Sequence, residues 1–380
     1  MQGSAPRILI RGVNWLGDAV MTTPALQRLR EAMPDTYITL LTHEKLADLW
    51  HGHPTLNSVV TFAPLESVWS IARRLREQKF NTALVLPNSP RSALEVWLGR
   101  IPQRIGYARP WRNWFLTQAV PSRENGVAMR KRSLSEIKRL IDGTQHVPRL
   151  RENTYPQNAH QLHEYLNLAS ALGASITPIA PQIHVAASEL ESVAARFGLK
   201  ADLAPVFGLN PGAEYGPAKR WPSERFVSAA TEIQRQTKCR WLLLGGPSDL
   251  DIANEIEMGI QNELAKMPNA ALPINLAGKT SLRELCVLLK LCRVVLTNDS
   301  GPMHVAAALG TPVVVPFGST SPQLTGPGLP GDTRHQLLTA NASCSPCFLR
   351  TCPIDFRCMT GIPVERVVEA TLNAASMRNG

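Results

Sequence analysis

Aliphatic runs too short for helices alternate with stretches of helical period along this chain, and the alternation happens twice. In the first half the runs are Ile8 to Arg11, Tyr37 to Thr42, Val59 to Phe62 and Ala83 to Leu86. Ile, Val and Leu concentrated over such lengths suit strands buried on both faces of a parallel sheet. Helical spacing predicts helices over Asp18 to Met33, Ser67 to Gln78, Ser133 to Ile141 and His160 to Leu172, the last ending at Gly173. Arg100 to Arg130 is weakly periodic and rich in Arg, Trp and Pro, so it reads as loops covering the domain.

Ala174 to Val185 has two prolines and few charges and reads as a linker. Beyond it, Ser188-x-x-Glu191 opens a helix as a capping box, closed by Gly198. Strands follow at Val206 to Leu209, Trp241 to Leu244, Ile274 to Leu276, Val294 to Leu296 and Val313 to Val315. Helices are predicted over Ser223 to Thr237, Asp249 to Lys266, after the capping box Ser281-x-x-Glu284, over Met303 to Leu309, and from Pro363 through Ala375. Two such series predict an α/β protein of two doubly wound, Rossmann-like domains, residues 1–177 and 186–360, followed by a C-terminal helix within 361–380. Ligands of such folds bind at the carboxyl edges of the strands.

The bulk numbers change this picture little. A chain of 380 residues with 44% hydrophobic and 18% charged residues is globular and has length for two cores. No apolar run approaches the roughly 20 residues of a membrane span. The N-terminus reaches a strand by Arg7 to Ile10 without an apolar leader, so a cytoplasmic protein is expected. The net charge of +10 matters more, because it is clustered: Arg91 to Arg139 holds eleven Lys or Arg against three Glu, with Trp97, Trp111, Trp114 and Phe115 interleaved. Such a field attracts nucleic acid, an anionic membrane or a phosphorylated glycolipid. No recognition helix, RNP or KH pattern accompanies it, so nucleic acid is not the expected partner.

Candidate chemistry concentrates in Val294 to Pro322, VVLTNDSGPMHVAAALGTPVVVPFGSTSP, which reads as strand, tight turn, short helix and strand. Asn298-Asp299-Ser300 supplies capping residues, Gly301-Pro302 fits the first helical turn, and Gly310 stops the helix. A helix N-terminus there is a ready anion site; an ordinary, well-capped βαβ unit explains the pattern equally well. Gly12-x4-Gly17 has phosphate-loop spacing but continues Asp18-Ala19 rather than Lys and Ser/Thr, which disfavours a nucleotide triphosphatase. No Gly-x-Gly-x-x-Gly follows the first strand, which disfavours a dinucleotide enzyme. On residue types alone Asp18 is a carboxylate answering a helix dipole, and Asp249-x-Asp251 is better read as capping than as a metal motif.

NDSGPMHVAAALG with FGSTSP, together with GVNWLGDAVMTTPAL, VLPNSPRSAL and NPGAEYGPAKRWP, closely resembles the ADP-heptose:lipopolysaccharide heptosyltransferases of the inverting glycosyltransferase family 9. The likeness covers roughly residues 7 to 325, and its motifs favour the branch that acts on the first heptose. It implies the glycosyltransferase-B architecture, with the C-terminal helix packing back on the first domain. It implies transfer of L-glycero-D-manno-heptose from ADP-heptose to an inner-core glycolipid of the heptosyl-Kdo2-lipid A type, at the inner face of the cytoplasmic membrane. Asp18 would be the catalytic base and Lys219 the lysine that meets the pyrophosphate. Asp299, Ser300, Gly301 and His304 would contact phosphates and heptose, with Glu214 and Tyr215 near the phosphates. Thr280 and Ser281 would lie along the adenosine, and Asp249 could hold the ribose. Asn88, Ser89 and Arg91, with Arg104 and Arg112, would face the acceptor. The rivals are a family member acting at another core position, of the first- or third-heptosyltransferase type, and a nucleotide-sugar sensor without catalysis.

One grouping stands outside the resemblance. Cys344-x2-Cys347-x4-Cys352-x5-Cys358, with Pro346 and Pro353 beside them, suits either a knuckle around a structural zinc or four reduced thiols packed in a loop. No cofactor is expected for catalysis.

Overall fold

The computed structural model describes residues 6–124, 126–143, 155, 156, 158–199 and 204–377. They form two compact units, one of residues up to 126 with 158–184, the other of 127–157 with 185 onward.

The first unit is built on β1 (Arg7–Arg11), β2 (Tyr37–His43), β3 (Ser58–Phe62), β4 (Thr82–Val85), β5 (Gln103–Tyr107) and β6 (Gln118–Val120). All pair in parallel in the order β3-β2-β1-β4-β5-β6. Leu9, Ile10, Leu40, Leu41, Ala83 and Leu84 are buried, as their uninterrupted apolar runs require. The single helix expected from Asp18 to Met33 is two, Leu16–Met21 and Thr23–Ala32. Pro24 lacks the N–H that would continue the first helix and fits the opening turn of the second. β5 and β6 correct the reading of Arg100 to Arg130 as loops. β5 begins with Gln103 and Arg104, and β6 is a largely exposed edge strand, so neither shows an apolar run.

The expected boundary at 177 is also corrected. Helix Leu134–Gly143 belongs to the second unit, where Ile137 packs with Cys344 and Cys347. The supposed linker from Ala174 lies along the first: Gln182 N–H donates to Thr23 Oγ1 at 3.1 Å, and Arg28 Nε to the Thr177 carbonyl at 3.0 Å.

The second unit carries β7 (Val206–Asn210), β8 (Arg240–Leu243), β9 (Ile274–Asn275), β10 (Val295–Thr297), β11 (Val313–Phe317) and β12 (Gln336–Thr339), parallel in the order β12-β11-β10-β7-β8-β9. Read from β9, this repeats the strand order of the first sheet. Its core stacks Trp241 on Phe207 and Trp221 on Phe226, edge to face, at centroid separations of 5.6 and 5.1 Å. The capping box expected at Ser188 is not used: helix Ala187–Arg196 starts earlier, and Glu189 accepts from the Ala186 N–H at 2.8 Å. At Ser281 the box holds, with reciprocal bonds to Glu284 of 3.1 and 2.8 Å. The last helix, Val364–Ser376, packs on helix Ser223–Thr237, β11 and β12. Its apolar face (Val367, Val368, Ala370, Ala374) is spent on the second core, which corrects the expectation that it covers the first domain.

In each sheet the order reverses at one place, between β1 and β4 and between β7 and β10. Loops leaving neighbouring carboxyl ends diverge there and open the crevice where such folds bind ligands.

Candidate active site

In the second unit, the loop after β7 and the loop after β10 meet at this reversal. Asn210, at the end of β7, donates through Nδ2 to the Leu244 carbonyl at 2.8 Å and accepts from Ser300 Oγ at 3.2 Å. Asn298 donates to the Pro211 carbonyl at 2.7 Å and accepts the Trp221 N–H at 2.9 Å. Asn298, Asp299 and Ser300, expected to cap the next helix, make no side-chain cap bond; they stitch the two loops together. The result is a fixed platform of buried, hydrogen-bonded amides at the N-terminus of helix Gly301–Ala308.

Onto this platform the short turn Pro217–Lys219 lays its lysine. Lys219 Nζ is 2.7 Å from Asp299 Oδ2, the side chains being 13% and 3% exposed. Asp299 Oδ2 also accepts from Thr320 Oγ1 at 2.5 Å. Lys219 lies over the Tyr215 ring at 4.9 Å, Arg350 approaches the same ring at 5.3 Å, and the Tyr215 hydroxyl donates to the Phe348 carbonyl at 2.7 Å. Lys219, Tyr215, Asp299, Ser300 and Gly301 are thus brought together, with His304 buried in the same first turn. Thr320 was not singled out by sequence, although it sits within FGSTSP. A buried ion pair beside helix N–H groups is suited to an anion that shares the lysine.

The remaining candidates of this unit are placed more loosely. Glu214 is exposed on the loop before Tyr215. Thr280 and Ser281 follow β9, and Ser281 spends its hydroxyl oxygen capping helix Leu282–Leu291. Asp249 is buried, accepts the Gly246 N–H at 3.0 Å and stands 3.7 Å from Arg220. A Cβ on Gly212 would fall 2.3 Å from its carboxyl carbon, so this carboxylate packs directly against the β7 loop.

Behind the platform runs the cysteine segment. Gly216 (φ 149) leaves no room for a Cβ, which would meet the Arg350 carbonyl at 2.6 Å, and Ala218 N–H donates to that carbonyl at 2.9 Å. Cys347 and Phe348 N–H groups both donate to the Ser319 carbonyl, at 3.0 and 2.7 Å. All four thiols, with Ile137, Ser319 and Arg357, line one cavity of about 10 Å³, room for a single water-sized occupant. Burial raises the pKa of Cys344 and Cys347, and pushes that of Cys358 up to about 12. Among the described residues, no three His, Cys, Asp or Glu are grouped to hold a metal ion as they stand.

In the first unit Asp18 occupies the first turn of Leu16–Met21, on the loop leaving β1. Its Oδ1 accepts from Gln161 Nε2 at 2.9 Å, across 143 residues of sequence. Asn88 and Ser89 follow β4, the other strand of the reversal; Ser89 Oγ accepts the Ser92 N–H at 3.3 Å and caps helix Pro90–Leu98. Arg91 binds Glu95 at 3.1 Å, and fully buried Glu95 binds Arg11 at 2.8 Å. Arg112 is fully buried and donates to Asn88 Oδ1 at 3.2 Å; burial, with Arg109 beside it, lowers its pKa to about 10. Arg104 is not brought to this group. It lies near the start of β5, away from the carboxyl edge, and donates to the Phe115 and Ile101 carbonyls at 2.7 and 2.5 Å.

A family model described as glycosyltransferase family 9 (heptosyltransferase) matches residues 68–356. The chain is 30% identical over 334 residues to lipopolysaccharide heptosyltransferase 2 of Escherichia coli K12, and 29% identical over 334 residues to that of Salmonella typhimurium LT2, covering 84% of this chain and 85% of each relative. The solved structure of E. coli ADP-heptose lps heptosyltransferase II superposes with a TM-score of 0.75 at 26% identity, over 98% of this chain and 100% of that one. Two six-stranded parallel α/β units in one chain are the glycosyltransferase-B type of architecture. The chain is therefore a glycosyltransferase, and it belongs to family 9, the heptosyltransferases.

Proposed function

We propose that this glycosyltransferase moves L-glycero-D-manno-heptose from ADP-heptose to the first heptose of the lipopolysaccharide inner core, in an inverting single displacement. The Lys219–Asp299 pair at the N-terminus of helix Gly301–Ala308 carries the reading. Lys219 and the helix N–H groups stabilise the charge that develops on the departing diphosphate. Asp299, Ser300, Gly301 and His304 hold phosphates and heptose, with Glu214 and Tyr215 near the phosphates, Thr280 and Ser281 along the adenosine, and Asp249 at the ribose. Asp18 takes the proton of the attacking acceptor hydroxyl, and Asn88, Ser89, Arg91 and Arg112 face the acceptor. No covalent intermediate is needed, and no step runs through a metal ion.

The partners in this reading are ADP-heptose and a heptosyl-Kdo2-lipid A type acceptor at the cytoplasmic face of the inner membrane. Contact with the bilayer is peripheral. No helix among the described residues is long and apolar enough to cross a membrane, and Trp111 and Trp114 are 83% and 86% exposed beside Arg109, a composition that suits an anionic interface. The test is mass spectrometry of products after offering ADP-heptose with acceptors bearing zero, one or two heptoses in anionic vesicles. Addition to the one-heptose acceptor is expected. Addition only to another acceptor moves the enzyme to a different core position, and donor binding without turnover on any acceptor makes the chain a sensor.

The cysteine segment is proposed to hold one structural zinc, on the support that four thiols from one segment share one small cavity. The thiols must turn inward on the ion, and Arg132 and Arg357, close enough to bias their titration, offset the charge of four thiolates. Elemental analysis of protein purified without added metal should give about one zinc per chain. A value near zero in folded, active protein sinks this reading.

A further inference from the structure

Gln161 belongs to no motif, yet it is tied to the carboxylate assigned as base. We propose that Gln161 is a positioning residue for Asp18, clamping its Oδ1 so that the carboxylate stays ionised and aimed during proton transfer; this rests on the reading of Asp18 as the base. The clamp has two jaws. Gln161 Nε2 is 2.9 Å from Asp18 Oδ1 and 3.1 Å from the Tyr165 hydroxyl oxygen. A carboxylate only accepts, so the amide must turn its NH2 end toward it, and that group has two hydrogens for its two partners. Gln161 therefore cannot flip without setting its carbonyl oxygen against a carboxylate.

The clamp is anchored rather than floating. Gln161 stands at the N-cap of helix Leu162–Ser170, whose buried Leu162, Leu166 and Ala169 seat it in the first unit, packed on helix Thr23–Ala32. Tyr165, one turn on, is 6% exposed, and burial with Asp18 nearby raises its pKa well above 10. It stays neutral throughout the working range. Among the described residues, titratable groups near the pair are Tyr107 on β5, held to the Glu164 carbonyl at 2.7 Å, Glu164 itself, paired with Arg123 at 2.9 Å, His163 beside those two, and buried His160. None of these groups is hydrogen-bonded to the Gln161 side chain, which bonds Asp18 and Tyr165, so a difference between variant and parent reports on the clamp.

The sign follows from which state the hydrogen bond favours. An N–H donated to a carboxylate stabilises the charged form, so losing it raises the pKa of Asp18 and moves the acidic limb of the rate profile upward. Gln161→Met keeps the length and removes the donor. It should lower kcat about tenfold and shift the acidic limb of kcat up by roughly half to one pH unit. The KM for ADP-heptose should stay within about twofold, since the donor residues lie in the other unit. Gln161→Glu, of equal size, sets a second carboxylate against the first and should shift the limb further in the same direction. Both variants are checked by thermal melting and by ADP affinity, so a misfolded variant is recognised and the other one decides. An unshifted limb and parental kcat in both variants overturn the proposal, provided Asp18→Ala has lost turnover. Near-normal turnover by Asp18→Ala overturns it as well, and there the failure lies with the assignment of the base rather than with the clamp.

Discussion

At the level of single residues, the site is a set of polar side chains that would be costly to bury alone and are buried together. Asn210 and Asn298 satisfy main-chain groups across two loops, and Asp299 is held by Lys219 and Thr320. Removing one member of such a pair leaves an uncompensated charge. Lys219→Ala should therefore weaken ADP and ADP-heptose binding together by about 1.5–3 kcal/mol, roughly ten- to 150-fold. Part of that loss comes from the bared Asp299 carboxylate repelling phosphate, so adding Asp299→Asn should restore some of the ADP affinity. Calorimetry that finds unchanged ADP affinity for Lys219→Ala would reduce the lysine to a structural partner of Asp299. Residue types in NDSG and AKRWP made this cluster readable in advance. Thr320 and Gln161 were not readable, because a lone Thr or Gln gains its meaning only from the atom it faces.

At the level of elements, two local readings were displaced by packing. The helix Leu134–Gly143 is amphipathic in sequence, but nothing in its period says which sheet it covers; Ile137 finds Cys344 and Cys347, and Arg132 bonds the Cys344 and Cys347 carbonyls at 3.1 and 3.0 Å. The last helix likewise has one apolar face, spent on β11, β12 and helix Ser223–Thr237. Both additions brace the cysteine segment and the sheet behind the lysine turn. The brace reaches the site through main-chain bonds from Ala218 to Arg350 and from Cys347 and Phe348 to Ser319. A Cβ at Gly216 would break that approach, which is the reason for glycine there.

For the molecule as a whole, each unit has a buried histidine whose pKa the fold lowers strongly, His53 in the first and His335 in the second. His53 and His335 are 7% and 6% exposed, and burial lowers both pKa values to about 4. For His53 the neighbouring His184 adds to the effect, whereas Asp332 partly opposes it for His335. An unfolded histidine titrates near 6.5, so between about 6.5 and 4 the unfolded chain binds protons that the folded one refuses. The stability these groups contribute is complete above 6.5 and is lost as the pH falls to 4, by up to ~3 kcal/mol for each. Denaturant midpoints followed by circular dichroism should drop across that window. The double variant His53→Gln, His335→Gln should show a flatter dependence, and a slope equal to the parent's would remove these residues as its cause.

The sequence by itself determined the alternation of strand and helix, the doubling of the unit and the loops that carry chemistry. Period and capping are local: Ser281 with Glu284 at a helix start and Gly310 at a helix end act within a few residues. The carboxyl-edge positions of Asp18, Asn88, Lys219 and Asp299 followed once the strands were placed. What it left undecided lies across long separations. β5, β6 and β12 are short or half-exposed strands whose pairing comes from neighbours rather than from their own residues. Arg104 looked like a free cation for an acceptor, and only the folded chain turned it toward main-chain carbonyls. Tertiary structure alone decided these points, because a side chain's partner is fixed by topology and burial, and neither is written in its immediate neighbours.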